Sequence, residues 1–284
     1  MSGTDTVWRI RHQAVTGSTN KDALGGKPGD VFTADHQTAG RGRLDHQWLS
    51  PPGENLMMSA VIGVADAPPE EVATLPLVVG LSVAKAIESI IFCEKQKESF
   101  SPCGDRPCKS HGDRPQICGQ ICGDRPCETW ETYGDRPCEV KIKWPNDVLI
   151  DCRKVCGILC ERKDDRVIAG LGVNVNQTVF AREIASRAIS LRLALQAKVL
   201  SVSSVRDTVL NHLAVALMHW RTGGFRSVWP EIAARDFLKG KTVTVRRTDD
   251  DAVPATGVCG GICVDGALDV AGEAIFAGEA HIVI

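Results

Sequence analysis

The stretch 140–176, "VKIKWPNDVLIDCRKVCGILCERKDDRVIAGLGVNVN", decides the fold class. In "VKIKW", Val140 and Ile142 alternate with Lys141 and Lys143, so both lysines leave the same face of a strand. Pro145 ends the pairing, and Asn146 and Asp147 supply turn chemistry. "DVLID" and "VCGILCE" are apolar runs separated by "CRK", a hairpin pattern in which Cys152, Cys156 and Cys160 read as small buried or half-buried hydrophobes. "VIAGLGVNVNQ", 167–177, is a further apolar strand, and its Gly170 and Gly172 remove side chains where another group must approach the backbone.

Outward from this block the pattern becomes helical. Residues 69–91 carry acidic side chains early and apolar ones at helical spacing, which predicts one buried helix. Further helices are expected at about 180–196 and 203–221, the second ending near Gly223 and Gly224. From 237 to 284 short β-rich runs alternate with Asp/Gly turns, the pattern of a small SH3-like barrel in which Cys259 and Cys263 fill the core. The expected architecture is a mixed α/β (α+β) domain over 1–236, its sheet packed with helices, followed by a β-barrel module over 237–284.

One segment breaks the pattern. Seven of the twelve cysteines fall between Cys93 and Cys138, and Gly-Asp-Arg-Pro recurs there four times, beginning at 104, 112, 123 and 134. Such Gly/Pro-rich repeats carry too few apolar side chains for a core, so 93–138 reads as a flexible surface insertion. The cysteine spacings are looser than those of paired zinc knuckles.

Composition bounds the setting. At 284 residues, 43% apolar and 24% charged, the chain can build one large domain, alone or with a small module. A formal charge of -2 and a pI of about 6.4 argue against a general nucleic-acid binder. "MSGTDTVWRIRHQ" contains no signal-like apolar run and nowhere do eighteen apolar residues run together, so no membrane partner and a cytoplasmic location are expected.

Any anion is therefore bound locally, and residues 33–51, "TADHQTAGRGRLDHQWLSP", offer the place. Arg41 and Arg43 alternate with Gly40 and Gly42, and no acidic residue lies between Gln37 and Leu44. Arginine presents planar donor pairs to phosphate or carboxylate, while glycine lets the backbone come close. No Gly-Lys-Ser/Thr follows, so this is not a P-loop, and an isolated "GRGR" would read as a solvated turn. "GSTN", 17–20, precedes a helix-like "KDAL" and would by itself be an N-cap.

Taken in order, "GSTN", "ADHQTAGRGRLDHQW", "KIKWPND", "GIL" and "GLGVNVN" closely resemble the biotin–protein ligases, over about residues 7–92 and 139–284. The resemblance implies activation of biotin by ATP as biotinyl-5′-AMP, then transfer to one lysine of a biotin carboxyl carrier protein. By similarity, Ser18, Thr19, Asn20, Gln37 and Gly157 match biotin-holding positions. Arg41, Gly42 and Arg43 match the loop that folds over biotin and the adenylate, and Lys143 matches the charge at the reacting phosphate and carboxylate. Trp48 and Asn174 match positions near the nucleotide, with Arg43 and Lys143 also reaching it. Mg²⁺ is expected with ATP; Asp147 is a candidate indirect ligand whose turn-forming role is the stronger reading, and the metal ligands stay unassigned.

Only about seventeen residues precede "STN", which predicts the short type without an N-terminal DNA-binding domain. The resemblance is compatible with a homodimer, and the insertion is foreign to the family pattern. Two alternatives stay open: a lipoate or octanoate transferase of the related superfamily, and a non-catalytic biotin or nucleotide sensor.

Overall fold

Alternation in 140–176 produces four strands of one sheet: β4 (Val140–Lys143), β5 (Asp147–Ile150), β6 (Arg153–Lys163) and β7 (Arg166–Val173). They are preceded by β1 (Arg9–Thr16), β2 (Asp30–Gln37) and β3 (Leu56–Gly63), giving the order β1-β2-β3-β7-β6-β5-β4. The β1–β2 pair is parallel and the rest are antiparallel, so the sheet is mixed. The chain is seen here as a computed structural model describing residues 7–43, 47–99, 138–247 and 253–283.

Strand periodicity divides the sheet into two chemically different faces. Met58, Ala60 and Ile62 of β3, Val140 and Ile142 of β4, Ile158 of β6, and Ala169, Leu171 and Val173 of β7 belong to the main core. That face packs against α3 (Leu75–Ser99) and α5 (Val202–Gly223). The alternate residues, among them Ser59, Lys143, Gly157, Glu161, Gly170 and Gly172, point to the other side. There the one-turn α1 (Thr19–Asp22) lies near β2, β3 and β7, with Ala23, Val61 and Ile168 as a small second core.

The expected helix over 69–91 is two helices. α2 (Pro69–Ala73) ends at Thr74, and α3 restarts at Leu75, because Pro76 has no N–H to continue the ladder and disfavours helical geometry before it. Helix α3 then runs to Ser99, so 93–99 are helical rather than part of an insertion; the repeats at 100–137 lie outside the described residues. Leu75–Gln96 is long and apolar enough to cross a membrane by length and composition, but two thirds of its most apolar window is covered by the protein's own core. The helix expected over 180–196 shrinks to α4 (Leu191–Leu195), capped by Ser190. Tertiary pairing wins there: Lys154 N–H donates to Arg187 O at 2.7 Å and Ile189 N–H to Lys154 O at 3.0 Å, so that after turns over 182–187 Ala188 forms a parallel bridge to Lys154 of β6. Cys156 is buried and Cys160 half-buried as expected, whereas Cys152 is exposed in the left-handed turn (φ 65°) between β5 and β6.

After α6 (Trp229–Ala233), the chain forms β8 (Thr242–Arg246), β9 (Ala255–Ile262), β10 (Leu268–Val270), β11 (Glu273–Ile275) and β12 (Glu279–Ile282). These form an open antiparallel sheet ordered β11-β10-β9-β8-β12; β11 and β12 do not pair, so the expected barrel is not closed. Nor is the sheet a detached unit, since Val243, Val245, Leu268 and Ile275 join the same core as the first sheet. Ile142 N–H donates to Arg235 O at 2.8 Å, Phe237 N–H to Ile142 O at 2.9 Å, and Trp144 Nε1 to Gly266 O at 3.1 Å. Trp144, 2% exposed, thus plugs the joint between the sheets. Replacing it by Phe removes that bond and volume, and should cost about 1–3 kcal/mol. The loss is read as a lower urea midpoint at unchanged slope; an unchanged midpoint would show that the joint does not depend on the indole.

Candidate functional site

The site grows from the polar face of the first sheet. Gly157 of β6 pairs with Gly172 of β7, and Gly170 lies two residues back on β7. Neighbours come down onto this bare backbone: a Cβ at Gly172 would lie 2.4 Å from the Trp48 ring, and one at Gly170 only 2.0 Å from Asn20 Oδ1. Both glycines are required by close approach, as their spacing suggested.

A hydrogen-bond cluster forms one end. The cap position Ser18 makes no side-chain capping bond, and Ser18, Thr19 and Asn20 are all at least 95% buried. Gln37, the last residue of β2, accepts through Oε1 from Thr19 N–H at 2.7 Å and from Thr19 Oγ1 at 3.1 Å. The fully buried Ser59 hydroxyl lies 2.7 Å from Thr19 Oγ1 and 2.6 Å from Asn20 Oδ1, and its single proton serves one at a time. Asn20 Nδ2 donates to Glu161 Oε2 at 2.6 Å. Arg41 Nη2 reaches both oxygens of the same carboxylate, at 2.9 and 3.0 Å.

Charge collects at the other end. Lys143 leaves β4 toward Asp147, and burial holds its pKa below the usual lysine value, with Lys154 adding to the depression and Asp147 opposing it. Arg43 is also lowered by burial, while Asp147 and Glu279 favour its charged form. Lys154 Nζ lies 2.6 Å from Asp147 Oδ1, an ion pair without the alignment of a directed hydrogen bond. Four cations, Arg41, Arg43, Lys143 and Lys154, thus face two carboxylates, Asp147 and Glu279, around a cavity of about 200 Å³, with Glu161 held against Arg41 outside the lining.

The lining includes Ser18, Thr19, Asn20, Gln37, Arg41, Gly42, Arg43, Trp48, Lys143 and Gly157, so residues from four separated segments converge as the sequence suggested. Residues 44–46 of the arginine loop lie outside the described residues. Asn174 is the exception. It is 5% exposed and absent from the lining, and its Nδ2 donates to Ile189 O at 3.1 Å, so it holds the 187–191 segment rather than presenting its amide to the cavity. Among the described residues the buried Trp48 indole N–H has no hydrogen-bond partner.

Ser59, Lys154, Glu161 and Glu279 were not singled out from the sequence. Ser59 had a signal, a lone hydroxyl inside the apolar run "LMMSAVIG", and Glu161 shares the strand parity of Gly157. Glu279 had none, because it arrives from the second sheet. Among the described residues no three His, Cys, Asp or Glu side chains cluster to hold a metal. The arrangement suits a ligand with an uncharged polar ring at the hydroxyl and amide end and an anionic group among the cations.

Residues 11–177 match the model of the biotin/lipoate A/B protein ligase family. A biotin–[acetyl-CoA-carboxylase] ligase of Mycobacterium tuberculosis is 27% identical over 86% of this chain and 76% of its own length. A bifunctional ligase/repressor of Bacillus subtilis is 30% identical over 60% of this chain, a match that spans 41% of that protein. The structure of the biotin protein ligase from Aquifex aeolicus in complex with biotin and ATP superposes with a TM-score of 0.71 at 25% identity, covering 97% of this chain and 98% of that one.

Ser59→Ala removes the hydroxyl that Thr19 and Asn20 share and leaves buried polar atoms unsatisfied, at a cost of about 1–3 kcal/mol. In a chain of this size that lowers Tm by about 2–4 °C per kcal/mol. Calorimetry checks it, and an unshifted Tm would mean the cluster is not held by Ser59.

Proposed function

Because this chain belongs to the biotin/lipoate A/B protein ligase family, we propose that it is a biotin–protein ligase, joining biotin to ATP as biotinyl-5′-AMP and passing the biotinyl group to a lysine of a biotin carboxyl carrier protein. The observation that carries this reading is the pairing, within one cavity, of a buried hydroxyl and amide cluster with four cations. The first end suits an uncharged ureido ring and the second a carboxylate and a phosphate. The names of the relatives support biotin over the lipoate branch of the same family.

In the first step a biotin carboxylate oxygen attacks the α-phosphorus and the bond to the β-phosphate oxygen breaks, releasing pyrophosphate. Two anions must meet, so fixed positive charge at the reacting oxygens lowers the barrier. Lys143 supplies that charge from β4, and Arg41 and Arg43 bring theirs on the loop. In the second step the uncharged acceptor amine attacks the acyl carbon, AMP leaves, and the nitrogen's proton is lost as the amide forms. Until then the mixed anhydride must be kept from water, a task for Trp48 and the arginine loop across the glycine floor. Ser18, Thr19, Asn20 and Gln37 orient the ring, while Gly157 admits it to the backbone. Mg²⁺ would arrive as part of the ATP complex, its charge offset by the triphosphate. The division into a catalytic part, 1–236, and a C-terminal module, 237–284, is the functional one, the module lending Glu279 to the cavity wall.

Labelled biotin incubated with a carrier-protein domain should be incorporated only with ATP, and Lys143→Ala should lose at least about a hundredfold in rate, the scale of one removed electrostatic group. No incorporation by the unmodified chain would overturn the reading; ATP–pyrophosphate exchange with lipoate or octanoate and not biotin would transfer it to the other branch. Lys143 acts as a cation, so adenylation should fall as pH rises through its depressed pKa. The basic limb should therefore lie below the ordinary lysine value of 10.5 and move up in Lys143→Arg. Arg43→Ala should release biotinyl-AMP faster, measured by filter retention; unchanged release would remove the loop from this role.

A further inference from the structure

Arg41 is paired with an anion of this chain. Glu161, two residues beyond the cavity-lining Leu159 on β6, shares that strand face without lining the cavity itself, and meets the cavity-lining Arg41 from 120 residues earlier. Its carboxylate is fixed at the deep side, because Asn20 Nδ2 donates to Oε2 at 2.6 Å and the Asn20 amide is itself oriented by Ser59. The contact to Arg41 is built differently. A single guanidinium nitrogen, Nη2, serves both carboxylate oxygens, not the two-nitrogen fork of the strongest arginine pairs. The side chains are 46% and 33% exposed, so the pair is solvent-screened and exchangeable.

We propose that Glu161 is a latch for Arg41: its carboxylate holds the guanidinium and yields it to the carboxylate of the entering substrate. This rests on biotin being that substrate. Glu161 is a positioning residue, acting through Arg41. When Arg41 changes partner, Glu161 keeps the Asn20 amide and remains partly hydrated, so no bare charge is stranded in the interior. Two consequences follow. Arg41 is held at the cavity wall by Glu161 until substrate displaces that carboxylate, and the observed biotin affinity is reduced by the cost of breaking the internal pair. The hydroxyl and amide end is also tied to the anion end, since one carboxylate touches both Asn20 and Arg41.

The test compares biotin with biotinol, which keeps the ring and chain and lacks the carboxylate, by calorimetric titration of the full chain. Glu161→Gln retains an acceptor for Asn20 and removes the charge. It should tighten biotin about two- to fivefold, the range of an exposed ion pair, and leave biotinol unchanged. In an Arg41→Ala background the same substitution should have no effect on biotin. Equal weakening of both ligands by Glu161→Gln would overturn the latch and make Glu161 a prop for Asn20; a gain that persists without Arg41, or unchanged biotin affinity, would also overturn it. Should Glu161→Gln not fold, Glu161→Asp keeps the charge and shortens its reach, with a smaller tightening expected for biotin alone and no change overturning the proposal. A native chain that binds neither ligand would refute the biotin reading itself, and the latch with it.

Discussion

Asn20 and Trp48 rest directly on the backbone of β7, where Gly170 and Gly172 leave no Cβ, and the site depends on that contact. Any larger residue would lift both groups off the sheet. With the contact made, Asn20 falls within reach of Ser59 on β3 and Glu161 on β6, and the arginine loop is tied to the same carboxylate. The floor is rigid because β7 is paired on both sides, to β3 over Leu56–Gly63 and to β6. Precision here comes from strand pairing, and the loop inherits it.

The electrostatics follow from the same face. A chain with a net charge of -2 gathers Arg41, Arg43, Lys143 and Lys154 around one cavity and offsets them with Asp147 and Glu279 in its lining and Glu161 behind Arg41. Removing charge from water is costly, which is why Lys143 and Arg43 are pushed toward neutrality by burial and drawn back by neighbouring acids. The cavity is therefore poised: its cations are incompletely matched from within, and an incoming anion improves their surroundings. Asp30 shows the opposite, structural use of charge. Deeply buried, it is held below the usual carboxylate range chiefly by the Lys27 N–H, helped by Arg9, and it fastens the start of β2 beside β1.

The second sheet takes part in the site as well as in the core. Trp144 leaves β4 next to Lys143 and donates to Gly266, and Glu279 opens β12 at the cavity wall. The strand that presents Lys143 is therefore braced from behind by the C-terminal sheet through Ile142 and the 235–237 segment.

Much of this was legible in the residues. Alternation in "VKIK" and "VCGILCE" determined which side chains share a face, because a strand has a period of two whatever surrounds it. The paired glycines announced close approach, and the order of short motifs identified the family and ten cavity-lining residues. Tertiary structure alone decided the rest. Residues 187–189 had helical composition, yet β6 captured their backbone. Pro76 is the exception, a local signal present in the sequence that divided the continuous apolar pattern into two helices. The C-terminal strands stayed open because β11 and β12 flank the sheet without pairing. Asn174, Glu161 and Glu279 could be placed only once distant segments met, since whether a polar side chain faces a cavity or serves a neighbouring carbonyl depends on a partner that its local sequence does not contain.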